Sequence, residues 1–409
     1  MSSWKKSLAL IWVSQLLAMG GYSMAMPFIP LFIQSRLGIA DEGLCGVGVA
    51  LFTFLGMGTL ACAAPVWGKL SDRFGRKLML LRAAFISAFL FPLMMFAESL
   101  WILILIRVAA SFFSGTVNAA QTLVASVTPE EKQGFALGAI STAVSTGYMT
   151  GFFLGGMVVD KYGFDAGFII CGICFFLSGL LVLPVKENFV PAVKAPVEEK
   201  KHFWELMAGY GTLLRCLIWM ILITNFMRSF DNPYLALLVA QASEPGTAAA
   251  NTGFISAAAA LGGVISGVTI GFLADKFPAK RLLPPLLVTA GVLLLCQSVC
   301  TNIILFMVLR FLGFMAAGGI DPILQRLISS YAGQSRRGQV FGVMQGFSVG
   351  GVMFSALVSG GVVYLAGVKG VFVTAGSLYI LCALPAFRLL KRVEKEKAGE
   401  AESTVRRVK

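Results

Sequence analysis

Long apolar segments alternate with short polar ones along the whole chain. A helix that spans a bilayer needs about 20 mostly apolar residues. The uncharged stretch 282–309 is too long for one helix, so we divide it at Thr301–Asn302. The pattern predicts twelve spanning helices, called spans 1 to 12, near residues 7–34, 43–67, 79–97, 100–126, 134–159, 166–185, 210–241, 250–273, 282–300, 302–328, 338–366 and 369–388. The expected fold class is an all-α membrane protein.

The composition favours a membrane protein over a soluble one. Of the 409 residues, 57% are hydrophobic and 13% are charged, whereas soluble domains carry about 25% charged residues. A net charge of +13 would suit a nucleic-acid-binding protein, but the basic residues cluster in short segments between apolar runs. We therefore expect a lipid bilayer around the chain and no nucleic-acid partner.

Basic residues are divided unequally between the two sets of loops. One set, together with the ends of the chain, holds most of them, for example in segments 69–82, 276–281 and 388–397. The other set holds only Arg36, Lys161 and Lys369. Loops rich in Lys and Arg stay on the cytoplasmic side. We expect a multi-pass protein of a bacterial inner membrane with both termini cytoplasmic.

Landmarks of the first half recur in the second half in the same order and at nearly constant spacing. The matched pairs include segments 68–74 and 271–277, Arg107 and Arg310, and Pro27 and Pro233. This repeat predicts two pseudo-symmetric six-helix bundles related by an axis along the membrane normal. We expect bundles over residues 1–185 and 206–390, a cytoplasmic linker over 186–205, and a charged cytoplasmic tail over 391–409.

The loop between spans 2 and 3 reads GKLSDRFGRK over residues 68–77. It matches the G-x-L-x-D-R-x-G-R-K signature of the major facilitator superfamily, and the chain resembles that family in this loop. The resemblance implies a transporter fold in which the loop latches one half against the other. The gating residues implied by it are Gly68, Asp72, Arg73, Gly75, Arg76 and Lys77.

Span 5 carries a row of glycines at Gly138, Gly147, Gly151, Gly155 and Gly156. The row resembles the antiporter motif G-x8-G-x3-G-P-x2-G-G, with Phe152 where the motif has proline. Glycine rows also arise from close helix packing alone. With segments 107–129 and 187–189, the whole chain resembles the twelve-span drug:proton antiporter family. That resemblance implies alternating-access export of drugs or other amphipathic small molecules in exchange for protons.

Five charged residues lie deep within the predicted spans: Arg107, Arg228, Asp231, Arg310 and Asp321. A carboxylic acid in a low-dielectric site can exist in both neutral and charged forms, so Asp321 and Asp231 are the candidates for proton coupling. Arg228 and Asp231 are three residues apart, so we expect them to lie on one helix face, where their charges can pair. Such a pair could serve insertion alone or take part in coupling. Asp321 has no acid or base within four residues on its own span, which slightly favours it over Asp231 as the proton acceptor.

The substrate cavity is expected between mid-span polar and aromatic residues. Large, soft contacts suit promiscuous binding, although any one such residue more often serves core packing than ligand contact. The candidates are Tyr22, Met26, Asn118, Gln121, Tyr148, Asn225, Phe230, Asn232, Tyr234 and Gln345.

The sequence carries no pattern typical of an enzyme or a resident cofactor. The eight cysteines, including Cys171 and Cys174, lie in or near apolar runs and are expected to act as small hydrophobes. The single histidine, His202, is in a polar segment. We expect no metal site, no cofactor beyond the coupling proton, and a monomer.

Two other functions remain open at this point. A substrate-specific transporter of the same fold could move a siderophore, a sugar or a lipid-like metabolite, with an anionic substrate bound by a deep arginine. A receptor of the same fold that does not transport would need a larger signalling domain than the polar segments offer.

Overall fold

The computed structural model describes residues 3–187, 189, 210–331 and 333–408. Every regular element within them is an α-helix or a 3₁₀ helix. Eleven helical segments are long and apolar enough to cross a membrane. The predicted linker 186–205, with His202, falls almost entirely outside the described residues.

The first half contains six spans whose bounds lie within seven residues of the prediction, with the largest difference at the end of span 2. They are span 1 (Ser3–Ala25, a 3₁₀ turn at Met26–Phe28, and Ile29–Ser35), span 2 (Glu42–Phe74), span 3 (Arg76–Leu90 and Pro92–Phe96), span 4 (Leu100–Phe113 and Thr116–Val127), span 5 (Gln133–Tyr162) and span 6 (Phe164–Val182).

The second half repeats this order. It consists of span 7 (Thr212–Ser229, a 3₁₀ turn at Asn232–Tyr234, and Leu235–Ala242), span 8 (Ala248–Lys276), span 9 (Ala279–Val299), span 10 (Ile303–Ala317 and Ile320–Tyr331), and spans 11 and 12 within Gly333–Val408. The predicted division at Thr301–Asn302 is confirmed, and the Asn302 side chain caps span 10 by accepting from the Leu305 N–H.

Spans 11 and 12, which together make up the last of these segments, are two helices joined by a sharp bend at Gly367. The bend has φ 69° and ψ 178°, a conformation that glycine adopts without steric penalty. Gly163 divides spans 5 and 6 in the same way, with φ 82° and ψ 173°. The eleven long segments therefore contain twelve spans, and the predicted twelve-helix, all-α fold is confirmed. The helix of span 12 continues to Val408, through the predicted tail.

Four spans are interrupted at matching places in the two halves. Pro27 and Pro233 stand in the 3₁₀ turns of spans 1 and 7, because proline lacks the N–H that a continuous α-helix needs. Spans 4 and 10 break at Gly115, with φ +106°, and next to Gly318. The repeat in the sequence is thus a repeat of helix breaks, which places irregular backbone at equivalent points of both bundles.

The core runs through both halves. One large cluster of buried apolar side chains contains residues of spans 1 to 12. A smaller cluster in the first half includes Ile11, Leu80, Ala120 and Ile140. The cysteines of the Cys171-x-x-Cys174 pair pack against Gly21 of span 1, where a Cβ would lie 2.5 Å from the Cys174 Cβ.

The two halves meet through spans 2 and 11 and through spans 5 and 8. We call the side with loops 68–77 and 276–281 the basic face and the opposite side the far face. Close approaches between halves lie toward the far face. A Cβ at Gly46 or Gly156 would clash with Val363 or with the Ala249 backbone, respectively.

Toward the basic face the same four spans diverge. Apart from the adjacent residues and backbone of its own helix, no described atom lies within 4 Å of a Cβ built at Gly68, Gly138, Gly271 or Gly342, one on each of spans 2, 5, 8 and 11. The halves are therefore closed at the far face and open at the basic face.

Candidate functional site

The second half holds a fully buried ion pair. Arg310 of span 10 and Asp231 of span 7 form a short salt bridge, with side chains 1% and 4% exposed. Arg310 also donates to Asn232 Oδ1 at 2.7 Å and to Gln297 Oε1 at 3.3 Å. Asp231 directly precedes the 3₁₀ turn of span 7, so the helix break aims its carboxylate at span 10. Three acceptors surround one guanidinium, which satisfies a charge that would otherwise be costly to bury.

A second ion pair in the same half is more accessible. The Arg228 guanidinium lies 2.7 Å from the Asp321 carboxylate, and the two side chains are 38% and 18% exposed. Asn225 links them, accepting from Arg228 at 3.0 Å and donating to Asp321 at 3.4 Å. Asp321 stands in the first turn of the helix Ile320–Tyr331, where the helix dipole favours a negative charge.

The predicted pairing of Arg228 with Asp231 is wrong. The α-helix of span 7 ends at Ser229, so the rule that residues three apart share a face no longer applies at Asp231. Each residue instead pairs with span 10, Arg228 with Asp321 and Asp231 with Arg310.

Arg107 of span 4 occupies the equivalent place in the first half, with different neighbours. It is 8% exposed. Its guanidinium donates to the Tyr22 hydroxyl at 3.2 Å and approaches the Met26 sulfur at 3.7 Å. The ring of Phe52 lies 5.1 Å away. Gly56 of span 2 leaves room for this side chain, since a Cβ there would lie 2.5 Å from Arg107 Nε.

The predicted substrate residues fall into four groups. Tyr22, Met26 and Tyr148 are partly exposed beside Arg107, and the rings of Tyr22 and Tyr148 meet edge to face at 6.2 Å. Asn225 and Asn232 belong to the two ion-pair clusters. The remaining polar candidates are at the surface or half-buried: Asn118, Gln121 and Gln345.

Phe230 and Tyr234 have no exposed surface in this conformation. The Tyr234 hydroxyl donates to the Gly46 carbonyl of span 2 at 3.3 Å, which is a bond between the halves. Phe230 packs on Phe226, with ring centroids 5.3 Å apart. In this state both residues hold the packed interior together, and neither lines the open side.

The signature loop is anchored by Glu187, which follows span 6. Glu187 accepts from the backbone N–H groups of Arg76 at 3.0 Å and Lys77 at 2.8 Å. It therefore caps span 3, after Gly75 turns the chain with φ +97°. The Lys77 ammonium donates to the Leu183 carbonyl at 2.7 Å. Asp72 and Arg73 are exposed at the open face.

The glycine row of span 5 is a packing face. A Cβ at Gly147 would lie 2.7 Å from the Leu16 carbonyl oxygen, and one at Gly155 would lie 2.6 Å from the Met24 Cα. Gly151 is in equally close contact with Gly20 and Ser23. Gly156 meets span 8 of the other half, whereas Gly138 faces open space. The row thus joins span 5 to span 1 and, at one position, to the other half.

Three polar residues that sequence reasoning missed take part in these contacts. Gln297 accepts a hydrogen bond from Arg310. It is a polar residue within the uncharged apolar stretch 282–309, and this was the sequence feature that could have identified it. Glu42 accepts from the Val368 N–H, and Asp160 accepts from two N–H groups at the start of span 8. These two carboxylates lie at helix ends, where acids are common, so nothing in the sequence indicates that they cross between the halves.

Comparison with known proteins gives one consistent result. A profile of the Major Facilitator Superfamily matches residues 11–244 and 217–408. The Multidrug resistance protein MdtG of Enterobacter lignolyticus is 30% identical over 394 residues, which cover 95% of this chain and 93% of that protein. The PmrA homolog of Lactococcus lactis, a multi-drug resistance efflux pump by name, is 29% identical over 90% of this chain and 92% of its own length.

A solved structure gives the same fold at low sequence identity. It is a bacterial homolog of the human lysosomal transporter Spinster, in an inward-facing and unoccupied conformation. The TM-score is 0.75 at 15% identity, over 96% of this chain and 98% of that one.

Proposed function

Because the chain belongs to the major facilitator superfamily, a family of membrane transporters and not of enzymes, we propose that it is a proton-coupled exporter of amphipathic small molecules. Relatives named for multidrug resistance and efflux align over 90% or more of the chain, which supports export as the direction. The proton is the coupling ion in this proposal, and the protein acts as a monomer without a cofactor. The first six-helix bundle spans residues 1–185 and the second 206–390.

The proposal also sets the orientation in a bacterial inner membrane. Both termini and the basic face lie in the cytoplasm, because Lys and Arg concentrate in loops on that side. The described conformation is then inward-open, with its closed far face toward the outside. Transport requires the far face to open while the basic face closes around the signature loop 68–77.

The observation that carries the coupling mechanism is the partly exposed Arg228–Asp321 pair. Its acid can reach the open space between the halves, while the acid of the Asp231–Arg310 pair is sealed in the core. Protonation of Asp321 removes the negative charge that holds Arg228 and Asn225, and deprotonation restores it. Substrate binding between the halves and protonation of Asp321 are then mutually exclusive, which links export to proton entry. Asp231 acts through Arg310, whose neighbour Asn232 is exposed.

The test compares single acid-to-amide variants in inverted membrane vesicles. D321N is expected to abolish export driven by a proton gradient while leaving counterflow exchange, because the amide cannot titrate. D231N is expected to reduce both, because it removes the partner of a buried arginine. E98Q, which changes an exposed acid on the far face, serves as the control. Normal proton-driven export in D321N would refute the assignment.

A further inference from the structure

A buried positive charge in the first half has no acidic partner among the described residues. The Arg107 guanidinium has only a phenol and a thioether as acceptors, at Tyr22 and Met26. Its Nε is buried without a hydrogen-bond partner. A guanidinium carries five N–H donors and remains charged in proteins, and charges inside membrane segments normally face a partner. The hydrogen-bonding capacity of Arg107 is therefore largely unused.

The second half shows which partner is missing. Asp231 and Ala25 each directly precede the 3₁₀ turn of their span, so Ala25 stands where the second half has its acid. Met26, the first residue of its turn, contacts Arg107 just as Asn232, the first residue of the matching turn, contacts Arg310. The first half keeps the arginine and its geometry but replaces the carboxylate with a methyl group.

The neighbours of Arg107 are suited to an aromatic or apolar body. Tyr22 and Tyr148 present partly exposed rings, Phe52 lies beside the guanidinium, and Met26 offers a polarizable thioether. A cation and soft aromatic surface thus lie side by side between spans 1, 2, 4 and 5.

We propose that the substrate is an amphipathic organic anion, whose carboxylate or sulfonate binds Arg107 and whose aromatic body packs on Tyr22 and Tyr148. This inference rests on the proposed function and names its substrate class. An anionic group supplies the acceptors that Ala25 lacks, and two N–H groups of one guanidinium can bind it together. The Tyr22 hydroxyl can rotate to donate to the same anion.

The other deep arginines are less suited to this role. The Nε of Arg310 is also buried without a partner, but the guanidinium of Arg310 has three acceptors within the chain, one of them a carboxylate, and Arg228 has Asp321 and Asn225. Arg82 also has free donors, but its guanidinium stacks on the Trp67 ring at 3.3 Å and donates to the Ser114 carbonyl. Arg82 is therefore the comparison residue in the test.

The experiment measures ligand binding to the full chain in lipid nanodiscs, without a proton gradient. The probes are naphthylacetate, naphthylacetamide and naphthylethylammonium, which share one aromatic body and carry negative, neutral and positive head groups. The wild-type protein is expected to bind the acetate at least about tenfold more tightly than the amide, as a charge-assisted bond to arginine implies.

Two substitutions should remove this preference by different routes. R107A deletes the cation, and A25D supplies the internal carboxylate found in the other half, so that Arg107 no longer needs an external anion. In both variants, the ratio of the affinity for the acetate to the affinity for the amide should fall to about one. A25N, of the same size but uncharged, and R82A should keep the preference. If R107A does not fold, A25D still decides the question, because it completes an ion pair instead of removing one.

The inference is overturned if the wild type binds all three probes equally, if the preference survives in A25D or R107A, or if R82A abolishes it. A purely structural role for Arg107 predicts unfolding in R107A with no head-group preference in the wild type. D321N separates this result from the proposed function, because it should lose proton-driven export and keep the preference for the acetate.

Discussion

Asp160 and Ala250 join the two halves at the far face: Asp160 Oδ2 accepts from the Ala250 N–H at 2.6 Å, while Oδ1 accepts from the Ala249 N–H at 3.1 Å. Asp160 lies in the last turn of span 5 and Ala248 begins span 8, so a carboxylate of one half caps a helix of the other. Glu42 likewise accepts from Val368 at the start of span 12. All three hydrogen bonds must break when the far face opens.

Removal of these two charges should therefore favour the state that is open at the far face. In D160N one amide oxygen replaces two acceptors, and the amide NH₂ group is set against a backbone N–H. Hydrogen bonds to charged groups contribute about 1.5–3 kcal/mol. The double variant D160N/E42Q should increase the far-face-open population about tenfold or more. Distances between spin labels at Ala40 and Glu244, on exposed far-face loops of opposite halves, measure this population.

The matched control for this shift is D165N. Asp165 is also an acid of the first half at the far face, but its partner, Arg36 at 3.7 Å, belongs to the same half. D165N should leave the distance distribution unchanged. An equal shift in D165N would attribute the effect to surface charge and contradict the role of Asp160.

Gly156 and its neighbour Gly155 should respond differently to an added methyl group. In G156A the Cβ would collide with the Ala249 backbone and lie 2.9 Å from the Ala250 Cα, both in the other half. That clash exists only while the far face is closed, so G156A should shift the same spin-label distances toward the open state. In G155A the clash is with Met24 of the same half, and it should lower stability by about 1–3 kcal/mol instead.

Similar behaviour of the two variants would contradict this division. If G155A opened the far face as strongly as G156A, the glycine row would act as a single packing face. If neither changed the distances, contact at Gly156 would not limit opening.

The fold could be predicted from the sequence because the length of each apolar run and the order of the repeated residues can be read along the chain, without knowledge of tertiary contacts. Twelve apolar runs set twelve helices, and matched residues such as Pro27 and Pro233 marked breaks that the structure contains. The division at Asn302 was predictable in the same way, since it rests on length and a capping residue.

Pairing between spans was not predictable, because it depends on where a helix stops. The sequence placed Arg228 and Asp231 on one face, but the helix ends between them and each turns to span 10. The sequence singled out Glu187 only as part of segment 187–189, which resembles the antiporter family. Its capping role could not be predicted, because its two backbone partners lie more than one hundred positions earlier. Contacts of this kind need the tertiary arrangement.

Glu187 should control the order of the signature loop. E187A removes the carboxylate that caps span 3 through Arg76 and Lys77, and loss of a helix cap costs about 0.5–2 kcal/mol. Hydrogen exchange of the amides over residues 70–80 should accelerate severalfold, with the remainder of the first half little changed. E131A alters an exposed acid of the same face and should have no such effect. Unchanged exchange in E187A would show that the loop is held by other contacts.

Asp231 should matter more for stability than Asp321, although both pair with an arginine. D231N leaves Arg310 as a buried charge without compensation, and breaking a buried pair in this way costs about 3–5 kcal/mol. D321N should cost much less, because the Arg228 side chain is 38% exposed and can turn toward water. Unfolding of the purified protein, followed by denaturant titration in detergent micelles, compares the two. The double variant D231N/R310Q should recover part of the loss, since it removes the uncompensated charge. If D231N and D321N were equally stable, or if the double variant were less stable than D231N, the Asp231–Arg310 pair would not be the buried electrostatic anchor of the second half.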